Sequence, residues 1–154
     1  ELAVIIGKGG RHISAADAMD HVAGYSCFND ASVRDWQRHT TQFTAGKNFP
    51  ATGGFGPYLV TPDEVGDVHD LAISLRLNGE TLQDARTDLL IFPIPVLIEY
   101  LSAFTALGPG DVIATGTPGG VGFKRDPQVF MQAGDTVEVE IENVGLLRNP
   151  IVAE

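Results

Sequence analysis

Leu71, Ile73, Leu75 and Leu77 alternate along one segment that runs into Asn78-Gly79 and then into a second extended segment. A period of two places those four side chains on one face of a strand. Asn-Gly suits a type I′ turn, whose two central residues both take positive φ. The pattern therefore predicts a β-hairpin. Thr136 to Glu142 repeats the alternation, with Val137, Val139 and Ile141 directed inward and Glu138, Glu140 and Glu142 forming a solvated face. Leu2 to Gly7 is instead a continuous apolar run with two β-branched isoleucines, the pattern of a buried strand.

Other segments fill in around these. Ala23 to Phe28 reads as a strand that breaks at Asn29-Asp30, followed by a helical turn over Ser32 to Gln37. Thr44 to Phe49 reads as a turn-rich loop, Leu59-Val60 as a strand start, and Val112 to Thr115 and Val144 to Val152 as further strands. Ser14 and Asp17 resemble a capping box, which predicts a helix from Ala15 to about Val22 with Gly24 just beyond it. A second helix is predicted from Val96 through Phe104 to near Gly108, with Pro93 and Pro95 blocking any earlier start. Short strands, two helices and no βαβ rhythm indicate one α+β domain with a rolled or sandwiched sheet. Trp36 is read as a packing residue, His12 and His21 as surface or structural, and His39 as exposed.

The net charge of −10, with no basic cluster, argues against binding to nucleic acid or an anionic membrane. No apolar run approaches the roughly 18 residues of a membrane span. Cys27 is the single cysteine, so no intrachain disulfide forms, and a buried position in its strand is expected. A cytoplasmic setting is the default expectation without a charged-then-apolar leader. The chain starts at Glu1 inside a strand pattern, so an upstream segment is expected.

The chemistry concentrates between Phe28 and Lys47. Asp30, Arg34, Trp36, Gln37 and Lys47 bring a carboxylate, a guanidinium, an indole, an amide and an ammonium into twenty residues. Asp30 falls at a strand end, with Arg34 and Gln37 one turn on and facing the same way. A carboxylate there can hold a hard cation while the guanidinium and amide orient an anionic ligand. Gly116 to Gly122 carries four glycines with Thr117 and Pro118. It is either a plain connection or a loop whose amides and Thr117 hydroxyl converge on a carboxylate. The glycines around Ala51 to Thr61 lack phosphate-loop spacing.

Four segments together resemble the fumarylacetoacetate hydrolase family. They are Glu1-Leu2-Ala3-Val4-Ile5-Ile6-Gly7-Lys8, then Asn29-Asp30 with Ser32-x-Arg34-Asp35-x-Gln37, then Gly46-Lys47 with Gly56-Pro57, and finally Pro109-Gly110-Asp111 through Thr115 to Gly122. The resemblance implies a mixed β-sandwich roll, generally dimeric, in which Glu1 and Asp30 ligate Mg²⁺ (or Mn²⁺ or Ca²⁺). A further glutamate is expected two positions before Glu1. Lys47, Arg34 and Gln37 would be catalytic, with Lys47 stabilising enolate charge and Arg34 and Gln37 orienting substrate oxygens. Thr117 would bind a carboxylate of a small anionic 2-oxo or diketo acid. The first implied activity is metal-dependent C–C hydrolysis of an acylpyruvate or fumarylpyruvate. The alternative is an isomerase, tautomerase or decarboxylase on a 2-oxo dicarboxylate of the 2-hydroxyhepta-2,4-diene-1,7-dioate or oxaloacetate type. Hydrolysis also needs a base, commonly a His-Glu pair in the family, and none of the four histidines here sits in a matching motif. A non-catalytic binding domain is the reading from a different class.

Overall fold

The computed structural model describes residues 1–153. Among the described residues, eight strands form two four-stranded sheets. β1 (Leu2–Ile6), β2 (Val22–Asn29), β3 (Gly54–Val60) and β6 (Val112–Ala114) make the first, in the order β3-β2-β1-β6. β4 (Ala72–Leu77), β5 (Glu80–Arg86), β7 (Thr136–Ile141) and β8 (Gly145–Pro150) make the second, in the order β5-β4-β7-β8. All six strand pairings among the described residues are antiparallel. Three short α-helices accompany them, α1 (Arg34–Gln37), α2 (Pro62–Val65) and α3 (Ile94–Phe104). The fold is α+β, a sandwich of two sheets with few helical residues.

The core lies between the sheets. Leu2, Val4, Ile6, Tyr25 and Cys27 from the first sheet meet Ile73, Val139, Ile141 and Leu147 from the second, with Ile94 and Ile98 of α3 closing one end. Each buried aliphatic side chain of this kind is worth about 1.5–3 kcal/mol over an exposed one. All five residues of β1 are buried, which is why its sequence is a continuous apolar run rather than an alternating one. The sheets also touch through polar groups. The Cys27 thiol donates to the Gly145 carbonyl at 3.2 Å, and Asn29 Nδ2 donates to Asn149 Oδ1 at 3.2 Å.

The hairpin forms as its sequence dictates, with Asn78 at φ 53° and Gly79 at φ 84°. β7 also keeps its pattern, burying Val137, Val139 and Ile141. Three expectations are corrected. No α-helix covers Ala15 to Val22. The Ser14 hydroxyl does donate to Asp17 Oδ2 at 2.6 Å, but only a 3₁₀ turn at Ala18–His21 follows, because β2 takes Val22 into the ladder with β1. Gly24 is accordingly not a helix stop. It lies in β2, where a Cβ would meet the Val60 carbonyl and the Leu59 side chain. Helix α3 starts at Ile94 and ends at Phe104, with Pro95 in its first turn, where a proline has no hydrogen bond to lose.

Smaller differences follow from packing. The segment around Lys47 is a 3₁₀ helix over Phe43–Lys47, and β3 starts at Gly54. Trp36 stacks near His39 and edge-on to Phe49 at 5.4 Å, yet stays 46% exposed. His21 is structural: it is buried, and its Nδ1 lies 2.7 Å from the Lys8 carbonyl. His12 and His39 are exposed.

Candidate active site

The β1–β2 ladder continues one residue beyond β1. The Glu1 backbone nitrogen donates to the Phe28 carbonyl at 2.7 Å, and the Phe28 N–H returns a bond to the Glu1 carbonyl at 2.9 Å. Glu1 therefore stands opposite Phe28, and Asp30 follows two residues later, so strand alternation directs both carboxylates to one side. On the other flank of β1, Thr115 donates from its N–H and its hydroxyl to the Leu2 carbonyl, at 3.1 and 3.0 Å. That anchors the start of the 116–122 loop, and Gly116 N–H donates to Glu1 Oε2 at 2.9 Å.

After β2 the chain turns into α1. Arg34 Nη1 donates to Gln37 Oε1 at 2.5 Å, and Gln37 is buried. The 3₁₀ helix bearing Lys47 lies against α1. Val33 N–H donates to the Gly46 carbonyl at 3.0 Å, and Gly46 sits so close to Gln37 that no side chain fits between them. Lys47 Nζ then forms an ion pair with Asp30 Oδ2. The Arg34 guanidinium also lies 5.2 Å from the centre of the Phe123 ring, within cation–π range.

These segments enclose a cleft of about 630 Å³. Glu1, Asp30, Arg34, Gln37, Lys47 and Thr117, the six residues singled out from sequence, all line it. The remaining wall is mostly apolar, with Leu75, Leu77 and Leu82 of the second sheet, and also carries Asn29, Ser32 and Gln83. Among the described residues, no histidine lines the cleft.

Its electrostatics are balanced. The carboxylates Glu1 and Asp30 face one guanidinium and one ammonium, so these four groups carry no net formal charge. Burial pushes the Glu1 carboxyl above the ordinary carboxylate range; the Gly116 hydrogen bond opposes that rise, and the neighbouring charge of Asp30 adds to it. An added dication would relieve both effects and leave the site cationic. Mg²⁺ usually keeps several waters and is held by one or two carboxylates together with substrate oxygens, so an oxygen-only pair is a suitable donor set. Among the described residues, no group of three or more acidic, histidine or cysteine side chains converges.

Two residues at this site have no local sequence signature. Gln83 of β5 donates through Nε2 to Thr117 Oγ1 at 3.0 Å and to the Pro118 carbonyl at 2.8 Å. Arg125 donates through Nε to the Gly120 carbonyl at 3.0 Å and through Nη2 to the Leu82 carbonyl. Both tie the 116–122 loop to β5. The available signal was a polar side chain at an inward strand position in β5.

Comparison with known proteins agrees with this architecture. The family model described as fumarylacetoacetate hydrolase C-terminal matches residues 1–152. The chain is 49% identical to a Bos taurus protein named oxaloacetate tautomerase FAHD2A, mitochondrial, over 99% of this chain and 49% of that protein. It thus spans about half the length of the curated relatives it matches. A fumarylacetoacetate hydrolase from Exiguobacterium antarcticum superposes with a TM-score of 0.96 at 42% identity, over 100% of this chain and 55% of that one. A 5-carboxymethyl-2-hydroxymuconate delta-isomerase from Mycobacterium smegmatis gives 0.91 at 39% identity, over 100% and 57%. With the family match running through both sheets and every segment that lines the cleft, the chain belongs to the fumarylacetoacetate hydrolase family.

Proposed function

We propose that the protein is an isomerase of a small 2-oxo dicarboxylate, interconverting keto and enol forms as an oxaloacetate tautomerase does. The observation that carries this reading is the convergence of Arg34, Lys47 and Thr117 with Glu1 and Asp30 in a single cleft. Three groups that bind anionic oxygens, on three different segments, suit a substrate with a carboxylate at each end and an oxo group between. The names of similar proteins, a tautomerase and a delta-isomerase, support proton relocation over bond cleavage.

The chain's own residues have separable tasks. Arg34, its guanidinium held by Gln37, orients one carboxylate. Thr117 donates its hydroxyl to the other. Lys47, fixed by Asp30, stabilises negative charge on the oxo oxygen as the adjacent C–H bond gives up its proton. The proton lost from carbon passes to solvent water and one from water reaches that oxygen, so no co-reactant is consumed. A hard dication held by Glu1 and Asp30, Mg²⁺ with Mn²⁺ or Ca²⁺ as alternatives, would supply Lewis-acid polarisation of the oxo group. The apolar wall excludes water from one side of the substrate, which strengthens each of these interactions.

C–C hydrolysis of an acylpyruvate is the second reading, favoured by the Exiguobacterium neighbour named a hydrolase. One experiment separates them. The intact protein is mixed with enol oxaloacetate and, separately, with an acylpyruvate, in Mg²⁺ and in EDTA. Accelerated, EDTA-sensitive loss of the enol absorbance without acylpyruvate cleavage supports the isomerase. Acylpyruvate cleavage alone supports the hydrolase, and turnover of neither overturns both.

A further inference from the structure

Thr117 lies on an exposed, glycine-rich loop, and a threonine hydroxyl can either donate or accept. Its use as a carboxylate ligand depends on which of these the surroundings leave open. Gln83 decides this. Its side-chain amide is buried, and Nε2 lies 3.0 Å from Thr117 Oγ1, 2.8 Å from the Pro118 carbonyl and 3.4 Å from the Gly119 carbonyl. Carbonyl oxygens only accept, so the two backbone groups fix the amide with its NH₂ toward the loop. One amide hydrogen goes to Pro118 and the other to Thr117. The hydroxyl oxygen of Thr117 is thereby made an acceptor, and its hydrogen is left for the cleft.

We propose that Gln83 is a positioning residue that commits Thr117 to donating, and so makes this end of the cleft selective for a carboxylate. The inference rests on the proposed binding of a dicarboxylate in the same cleft. It adds a residue 34 positions upstream of Thr117, on a strand of the opposite sheet. The same strand grips the far end of the loop, where Arg125 bridges the Leu82 and Gly120 carbonyls. The 116–122 loop is thus held at both ends by β5, and a substitution at Gln83 changes the hydroxyl's polarity while Arg125 keeps the loop in place.

The near-isosteric change Gln83→Glu reverses the polarity. A carboxylate accepts the Thr117 hydrogen and presents no donor to the substrate side. Binding of malonate, a non-reacting dicarboxylate, is measured by calorimetry on the intact protein with Mg²⁺. Gln83→Glu is expected to weaken it about 10- to 100-fold, the range for a lost hydrogen bond to a charged group. Thr117→Val is expected to weaken it to a similar extent. Combining the uncharged Gln83→Met with Thr117→Val should bind no more weakly than Thr117→Val alone, because both act on the same hydroxyl. A role of Gln83 that does not pass through Thr117 would give additive losses instead. Gln83→Met, which leaves the hydroxyl free to rotate, should weaken binding less than Gln83→Glu, and it decides the matter should the glutamate variant not fold. Wild-type affinity in a folded Gln83→Glu or Gln83→Met protein, or additive losses in the double variant, would overturn the inference while leaving the functional reading intact. Failure of the unsubstituted protein to bind malonate would overturn both.

Discussion

Gly46 is the joint between the two segments that carry the cationic side chains, and replacing it with alanine tests how tightly that joint is set. A Cβ built there stands 2.5 Å from Gln37 Cβ and 2.6 Å from both its Cα and its amide nitrogen. Carbon atoms pack at about 3.5–4.0 Å, so one segment must retreat by roughly 1 Å. The opposing atoms are backbone and Cβ, which no rotamer change moves aside. Overpacking of this kind costs about 1–3 kcal/mol. The same retreat separates Lys47 from Asp30 and from Arg34, and a misplacement of about 1 Å in a catalytic group lowers turnover on the order of 10²-fold. Urea denaturation gives the first quantity and oxaloacetate tautomerisation the second. Gly108→Ala is the control: only Asp111 Oδ2, at 3.9 Å, comes near its Cβ, and stability should stay within about 0.5 kcal/mol of the parent. If Gly46→Ala keeps both parental stability and parental turnover, the reasoning about this joint is wrong.

Other consequences are equally direct. Ile98 is fully buried where α3 closes the core, so Ile98→Ala should lower unfolding free energy by about 2–5 kcal/mol; a loss below 1 kcal/mol would mean the core relaxes around it. Burial raises the Cys27 thiol from 9.0 to about 11 and the Tyr25 phenol from 10.0 to about 12. Both are held neutral in the folded state, so the unfolded chain releases their protons first and their contribution to stability, complete below 9.0, is lost as pH climbs through about 11 and about 12. Urea midpoints should therefore fall across that window, and fall less in Cys27→Ala with Tyr25→Phe; equal slopes would contradict the assignment. Arg34→Lys removes the planar fork held by Gln37, and KM for a dicarboxylate should rise about 10- to 100-fold with the protein still folded; an unchanged KM would take Arg34 out of substrate binding.

The sequence was most legible where the signal is local. The hairpin at Asn78-Gly79 and the alternation of β7 depend on residues a few positions apart, and the structure reproduces them. The apolar run of β1 likewise reads directly as a buried strand. It was least legible where a tertiary contact overrides a local preference. Ser14 and Asp17 do bond each other, but pairing with β1 claims the chain from Val22 onward. Proline at the head of α3 misled because a first helical turn tolerates what an interior does not. Asp30, Arg34, Gln37 and Lys47 stood out by their chemical variety and spacing, and Glu1 and Thr117 drew their roles from the family resemblance, whereas Gln83 and Arg125 reach the cleft loop from the second sheet and from the far side of that loop. Apart from the polar side chain within β5, nothing close in sequence to either one signals the contact.

We propose that Asp30, Lys47 and Arg34 act together on an anionic substrate in one cleft. The measurement that tests it most directly is the Mg²⁺-supported rate of oxaloacetate enol-to-keto conversion by the intact protein, compared with Asp30→Ala. Removing Asp30 takes away the partner of Lys47 and one of two carboxylates beside it. The parent should accelerate the conversion, and the variant, still unfolding cooperatively, should lose on the order of 10²-fold or more of that rate. A folded Asp30→Ala protein that turns oxaloacetate over at the parental rate would contradict it.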